Sequence, residues 1–416
     1  MATQRRKDNK NRVLKDGEHQ RPNGTYEYKW RDKKGKRHSI YAPTLEALRD
    51  KEADLLRDIL DGIKVNNDLT INDVYERWKQ IKRGLRDTTF SNYKYMYDMF
   101  VAPEFGKNKI SDLKKSDVRA FYNYLVDTKK LAIATVDSIH TVLHQVLDVA
   151  VEDEYIRFNP SDSALKELKR THNVGEQKHK ALTIPEMELF QSFLRDTPQF
   201  RHWYPVFTVM LWTGMRVGEV TGLNWEDIDF ENNVIHLSNN LVYFADLNEA
   251  TGKRESGFKV HKPKSKAGIR NIPMLPQVRE ALLLEKEYQD LCDIKCNANI
   301  DGFSNFIFVN RFGDVQHQGT LNKALDRIIR QCNDKQLDSG VSNPVLLPKF
   351  SNHSLRHTFI TRLCEAKVGI KAIQDIVGHA DPQTTLAIYA EVTESFKESE
   401  MQNFKAFYDS IKTLSK

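Results

Sequence analysis

Five residues in the C-terminal half of this chain, Arg216, His353, Arg356, His379 and Tyr389, have types and spacings suited to chemistry at a phosphate. Arg216 follows Gly214, which ends an apolar run, so it falls in the turn after a helix, where a guanidinium offers a rigid fork of donors to an oxyanion. Glu219, three residues on, supplies the other reading, a structural ion pair. His353 and Arg356 share one face if their segment is helical, with Leu355 turned toward the core. Such a pair binds a phosphate and handles its protons, or it is a surface histidine beside a surface arginine. Gly378 stops a short amphipathic run marked by Ile370, Ile373, Ile376 and Val377, leaving His379 just past a helix end. Tyr389 comes ten residues later, and among fifteen tyrosines its type alone does not separate a nucleophile from a core phenol.

The elements that must position these residues are legible in outline. At 416 residues and 40% hydrophobic content the chain exceeds one core, so several domains are expected. No apolar run approaches a membrane span and the basic N-terminus lacks a secretory segment, which predicts a cytoplasmic protein. Cys292, Cys296, Cys332 and Cys364 lack paired metal-site spacing, and neither a disulfide framework nor a metal is expected. The net charge of +6 is uneven: residues 1 to 40 hold thirteen Lys or Arg against five acids, a local +8. That arm is a phosphate-binding surface or a solvated tail. Thr25 to Trp30 and His38 to Tyr41 alternate as a hairpin around Lys34-Gly35, followed by a helix from Thr44 that ends at Gly62. Residues 69 to about 170 read as four or five helices, opened by a Thr70/Asp73 cap, with Tyr93, Tyr97 and Phe100 along one helix face and a stripe from Val136 to Ala150. After a polar linker, the Thr183-Ile184-Pro185-Glu186 capping box opens a domain with extended segments at 234–237, 258–260 and 270–273.

The ordered series Arg216, His353-x-x-Arg356, Gly378-His379 and Tyr389 resembles the tyrosine recombinase or phage integrase family, nearest to integrases of conjugative transposons from Gram-positive bacteria. The resemblance spans the chain. It implies a multidomain fold: a small α+β arm-type DNA-binding domain over 1–66, an all-α core-binding (SAM-like) domain over 67–172, a linker over 173–182, a mixed, mainly-α catalytic domain with a small antiparallel sheet over 183–392, and a helical tail over 393–416. It also assigns a lysine in a turn between strands, which makes 262–273 that hairpin. Lys264 fits best, and Lys266, two residues along and on the same face of a strand, is the alternative.

By the same resemblance Arg216 and Arg356 clamp the non-bridging oxygens, Tyr389 attacks phosphorus, His353 accepts its proton, His379 donates to a phosphate oxygen, Lys264 protonates the leaving 5′ oxygen, and Glu219 supports Arg216 or a nearby histidine. A 3′-phosphotyrosine bond conserves the energy of the broken linkage, so no cofactor is expected, in keeping with the lack of a Walker loop or carboxylate cluster. The implied partners are double-stranded DNA at core and arm sites, further copies of the chain in a tetramer, an excisionase and a host DNA-bending protein, with the protein at the nucleoid when bound. Lys29, Arg31, Lys33, Lys34, Lys36 and Arg37 are the arm-domain candidates for DNA contact. The tail, with Phe396, Met401, Phe404, Phe407, Ile411 and Leu414, packs on a neighbouring copy or on its own domain. Two other functions remain open: a DNA-binding protein that keeps the fold without cutting, and a type IB-like topoisomerase.

Overall fold

Side chains that alternate from Tyr26 to Arg31 form the middle strand of a three-stranded antiparallel sheet, β1 (Glu18–Gln20), β2 (Tyr26–Arg31) and β3 (Arg37–Ala42), with Tyr28 opposite Ile40 and Trp30 opposite His38. This computed structural model describes residues 6–31, 35–63, 68–171, 181–247, 254–263, 266–390, 401 and 405. The candidates Lys33, Lys34 and Lys264, most of the expected linker and nearly all of the tail lie outside them. β1 adds a strand to the expected hairpin; at three residues it is too short to show a period, and it is held by the buried Glu18, which Arg49 reaches at 2.8 Å. Tyr26, Ala42, Leu45 and Leu48 close a small core between the sheet and α1 (Leu45–Leu60), whose N-cap, Thr44, accepts from the Ala47 amide.

The rest of the first compact unit, Met1–Glu176, is helical: α2 (Ile71–Ile81), α3 (Asp87–Met96), α4 (Lys115–Asp127), α5 (Ile133–Glu152) and α6 (Lys166–Thr171). Thr70 and Asp73 form the expected reciprocal cap on α2. The helix expected to run through Tyr93, Tyr97 and Phe100 instead widens after Met96 into a turn over Tyr97–Val101, which buries Tyr97 in a ring stack with Tyr75 at 3.6 Å.

In the second unit, Gln177–Lys416, the Thr183/Glu186 box opens α7 (Ile184–Asp196), and Leu182 is already buried, its amide donating to Thr358. α8 (Tyr204–Thr213) is apolar on all sides and lies in the middle of the core. The unit continues with α9 (Val217–Thr221), β4 (Ile228–Asp229), β5 (Val234–Leu237), β6 (Asn240–Leu247), β7 (Arg254–His261), β8 (Arg270–Pro273), α10 (Pro276–Leu291), α11 (Gln318–Asp338), α12 (Asn352–Glu365), α13 (Ile370–Val377) and helical residues 382–390, of which α9, α10 and α12 pack directly on α8. The expected lysine hairpin over 262–273 is not one. β7 pairs with β6, whereas β8 pairs with β5 in a separate β4-β5-β8 sheet, so the segment passes between two sheets. Lys266 lies in a single helical turn, Lys266–Gly268, where the two-residue alternation of a strand does not apply.

Candidate active site

α8 ends on Gly214, whose backbone is left-handed (φ +62°) and whose Cβ, were there one, would lie 2.4 Å from Phe359. The turn delivers Arg216 to the N-cap of α9. Its guanidinium donates to one oxygen of Glu219 at 2.9 Å while the other accepts the Arg216 amide at 2.8 Å, so Glu219 fixes backbone and side chain of the same arginine. The Arg216 side chain is still 45% exposed.

Glu219 also holds Arg270, through Nη2 at 2.9 Å and Nη1 at 3.2 Å, with both side chains 5% exposed. Burial alone would raise the Glu219 carboxyl. The hydrogen bonds and charge of Arg270, with the amide and charge of Arg216, outweigh it and keep the group below the usual carboxylate range. Arg270 sits on β8 in register with buried Ile272, at an inward position where a charge must be paired.

Arg356, buried in α12, donates Nη1 to the Gly214 carbonyl at 2.6 Å and Nη2 to the Val377 carbonyl at 2.8 Å. Arg270 Nε donates to Ile376 at 2.6 Å and Arg216 Nη2 to Gly378 at 3.2 Å. Three successive carbonyls at the end of α13 therefore each accept from a different arginine. The last carbonyls of a helix lack intrahelical partners and carry partial negative charge, so this end suits cations. Gly378 turns left-handed there (φ +71°), and a Cβ on it would stand 2.7 Å from Arg270 and 2.8 Å from the Ala267 carbonyl, which brings the Lys266 turn against the same point. Burial, and then the charge of Arg216, draws Arg356 down to about 9, so it stays cationic at neutral pH.

His379 follows directly, half-buried, with Nδ1 2.8 Å from the hydroxyl of buried Thr385. Burial first, then the charges of Arg356, Arg216, Arg270 and His353, pull the imidazole down to about 4, leaving it neutral at physiological pH. Tyr389, in the 382–390 helix, is partly buried against the cluster of Phe359, Ile360, Cys364, Ile373 and Val377. His353 stands exposed in the first turn of α12, three residues before Arg356. In the first unit, Lys29, Arg31, Lys36 and Arg37 are exposed, with Lys29 3.4 Å from Glu27 and Arg31 bonded to the Gly35 carbonyl.

Arg216, Glu219, Arg356 and His379 are thus gathered at the α13 terminus. Sequence reasoning missed Arg270 and Thr385. The signal for Arg270 was a charge at an inward strand position, but its partner Glu219 lies 51 residues away. Among the described residues no group of three or more His, Cys, Asp or Glu could hold a metal, and no helix is long and apolar enough to cross a membrane.

Comparison with known proteins gives a consistent result. The model of the phage integrase family matches residues 180–395, that of the DNA binding domain of Tn916 integrase residues 2–59, and that of the phage integrase N-terminal SAM-like domain residues 70–126. The chain is 29% identical to the transposase from transposon Tn1545 of Streptococcus pneumoniae and 29% identical to that from Tn916 of Enterococcus faecalis, each over 96% of both chains. Its fold is similar to the Tn1549 transposon integrase solved in complex with transposon right end DNA, at TM-score 0.68 and 26% identity, covering 80% of this chain and 99% of that one.

Proposed function

Because this chain belongs to the phage integrase family, and is a tyrosine-type site-specific recombinase of the kind by which mobile elements integrate and excise, we propose that it cuts and rejoins DNA through Tyr389. The observation that carries the assignment of residues is the convergence of Arg216, Arg356 and His379 on the end of α13, a short stretch of chain before Tyr389.

In this reading Arg216 and Arg356, already oriented by Glu219 and by backbone carbonyls, neutralise the non-bridging oxygens with no reorganisation at the moment of reaction. The Tyr389 oxygen bonds to phosphorus, the bond to the 5′ oxygen breaks, and Lys264 supplies the proton that oxygen needs, with Lys266 the alternative donor. His353 takes the phenol proton. Neutral His379 offers its Nε2 proton to a phosphate oxygen, which makes Nδ1 the acceptor of the Thr385 hydroxyl that lies 2.8 Å away. The 3′-phosphotyrosine is then attacked by a 5′ hydroxyl of the second duplex, which regenerates the phenol. Neither a metal nor another cofactor enters these steps.

The substrate is double-stranded DNA. Residues 1–66, with Lys29, Arg31, Lys33, Lys34, Lys36 and Arg37, take arm sites, and the domains over 67–172 and 183–392 take the core site, joined by the 173–182 linker. Four copies assemble on two duplexes, with the 393–416 tail packed on a neighbouring copy or on its own domain, and an excisionase and a host bending protein set direction. The protein works in the cytoplasm, at the nucleoid.

Wild-type protein and Tyr389→Phe are incubated with nicked duplexes from the DNA flanking the gene, and denaturation-resistant adducts are mapped. An adduct on Tyr389 that is lost in Tyr389→Phe, with DNA affinity retained, is the expected result. Tight binding without an adduct on any flanking duplex would establish a DNA-binding protein that does not cut.

A further inference from the structure

We propose that Arg270 is a positioning residue for strand cleavage, a strut that holds the carboxylate orienting Arg216 and the carbonyl end of α13 that leads into His379 in one frame. This rests on the reading of Tyr389 and its neighbours as a strand-cleaving site.

Arg216 and Arg270 share one carboxylate but face opposite ways. Arg216 leaves nearly half of its side chain to solvent, whereas Arg270 is 5% exposed and its donors all turn inward. Nη1 and Nη2 take both oxygens of Glu219, Nη1 also lies 3.4 Å from the Gly268 carbonyl, and Nε takes Ile376 at 2.6 Å. Four of its five N–H groups are thus taken inside the protein, and a side chain so buried presents almost no surface to a substrate oxygen. Arg270 instead ties β8, the start of α9 and the end of α13, three segments far apart in sequence. The last of these carries the carbonyls that Arg356 and Arg216 also use, and Gly378 packs so closely on Arg270 that a methyl group would not fit. A shift of Arg270 therefore displaces the support of both exposed and buried clamp arginines and the backbone entering His379. Lysine, with one ammonium group, cannot span the two Glu219 oxygens and the Ile376 carbonyl together.

The test uses full-length wild type, Arg270→Lys and Arg270→Gln on the nicked duplexes described above, with adduct rate, DNA affinity and melting temperature measured in parallel, and with NMR titration of His379 in the free protein. Both variants should form the Tyr389 adduct about 10- to 100-fold more slowly at DNA affinity within about threefold, the range for displaced supporting groups. The His379 midpoint should rise in Arg270→Gln, because one of the cations that depress it is gone. Arg270→Lys keeps a cation beside Glu219 and carries the test if Arg270→Gln fails to fold. A lysine variant with the wild-type rate, or rates that fall only with the folded fraction, would overturn the proposal. If wild type itself forms no adduct at Tyr389, the cleavage reading fails; the titration then decides alone, and a His379 midpoint unmoved in both variants overturns the strut as well.

Discussion

Thr385 illustrates how much a single hydroxyl decides at this site. It is wholly buried and meets His379 at Nδ1, so Thr385→Val leaves the imidazole without the partner that fixes its proton. Cleavage should drop about tenfold at unchanged DNA affinity, and Thr385→Ser should recover most of it; equal losses in valine and serine variants would mean packing, and not the hydroxyl, is what matters. A second buried group acts on stability. Glu285 on α10 is buried, with one oxygen accepting from Gln289 at 2.8 Å. Burial pushes its carboxyl up from 4.5 to about 7, against the small opposing effect of that hydrogen bond. Between those two values the folded protein keeps a proton that the unfolded chain releases, so stability falls as pH rises from 4.5 to 7 and is flat above. The loss is on the order of 3 kcal/mol. Urea midpoints at pH 5 and pH 8 should show Glu285→Gln more stable than wild type at pH 8 and little changed at pH 5. A variant equally weakened at both would remove Glu285 from this account.

Single elements were legible where their own residues announce them. The Thr183/Glu186 box both predicts and makes the start of α7, and Thr183→Ala should lower unfolding free energy by about 1 kcal/mol in a denaturant titration. Gly378 likewise stops α13 in the left-handed turn that its sequence position suggests. What the sequence did not disclose depends on partners distant along the chain. The three residues of β1 have no period, and although the Lys15 amide meets one oxygen of Glu18 locally, the other finds its partner only when Arg49 of α1 arrives. The widened turn after Met96 follows from Tyr97 stacking on Tyr75 in another helix. The separation of β7 from β8 is a matter of sheet pairing, to which the Lys262 to Pro273 run is indifferent. Arg216, Glu219 and Arg356 could be named from local pattern, but the arginines' shared use of one helix end could not, because α13 alone carries no trace of them.

Across the whole chain, positive charge is concentrated in residues 1 to 40. A protein beginning at residue 67 should still form adducts on a nicked core duplex while losing shifts of arm-site DNA in a mobility assay, and its plot of log affinity against log salt should be shallower, since fewer phosphates are neutralised. Retained arm-site binding would move that role elsewhere in the chain. The carbonyl-capped arginine cluster has a consequence for the empty protein too. Three guanidinium charges, Arg216, Arg270 and Arg356, face one carboxylate, Glu219, which leaves two positive charges that carbonyl dipoles do not cancel. A site in that condition should attract anions, and a dianion that binds it only in the folded protein stabilises the fold by linkage. Sulfate should therefore raise the melting temperature more than chloride at equal ionic strength, and a buffer that stabilises the protein in this way should also weaken its hold on DNA in the same concentration range; stabilisation with no competition would be the general salting-out effect and not occupation of the site.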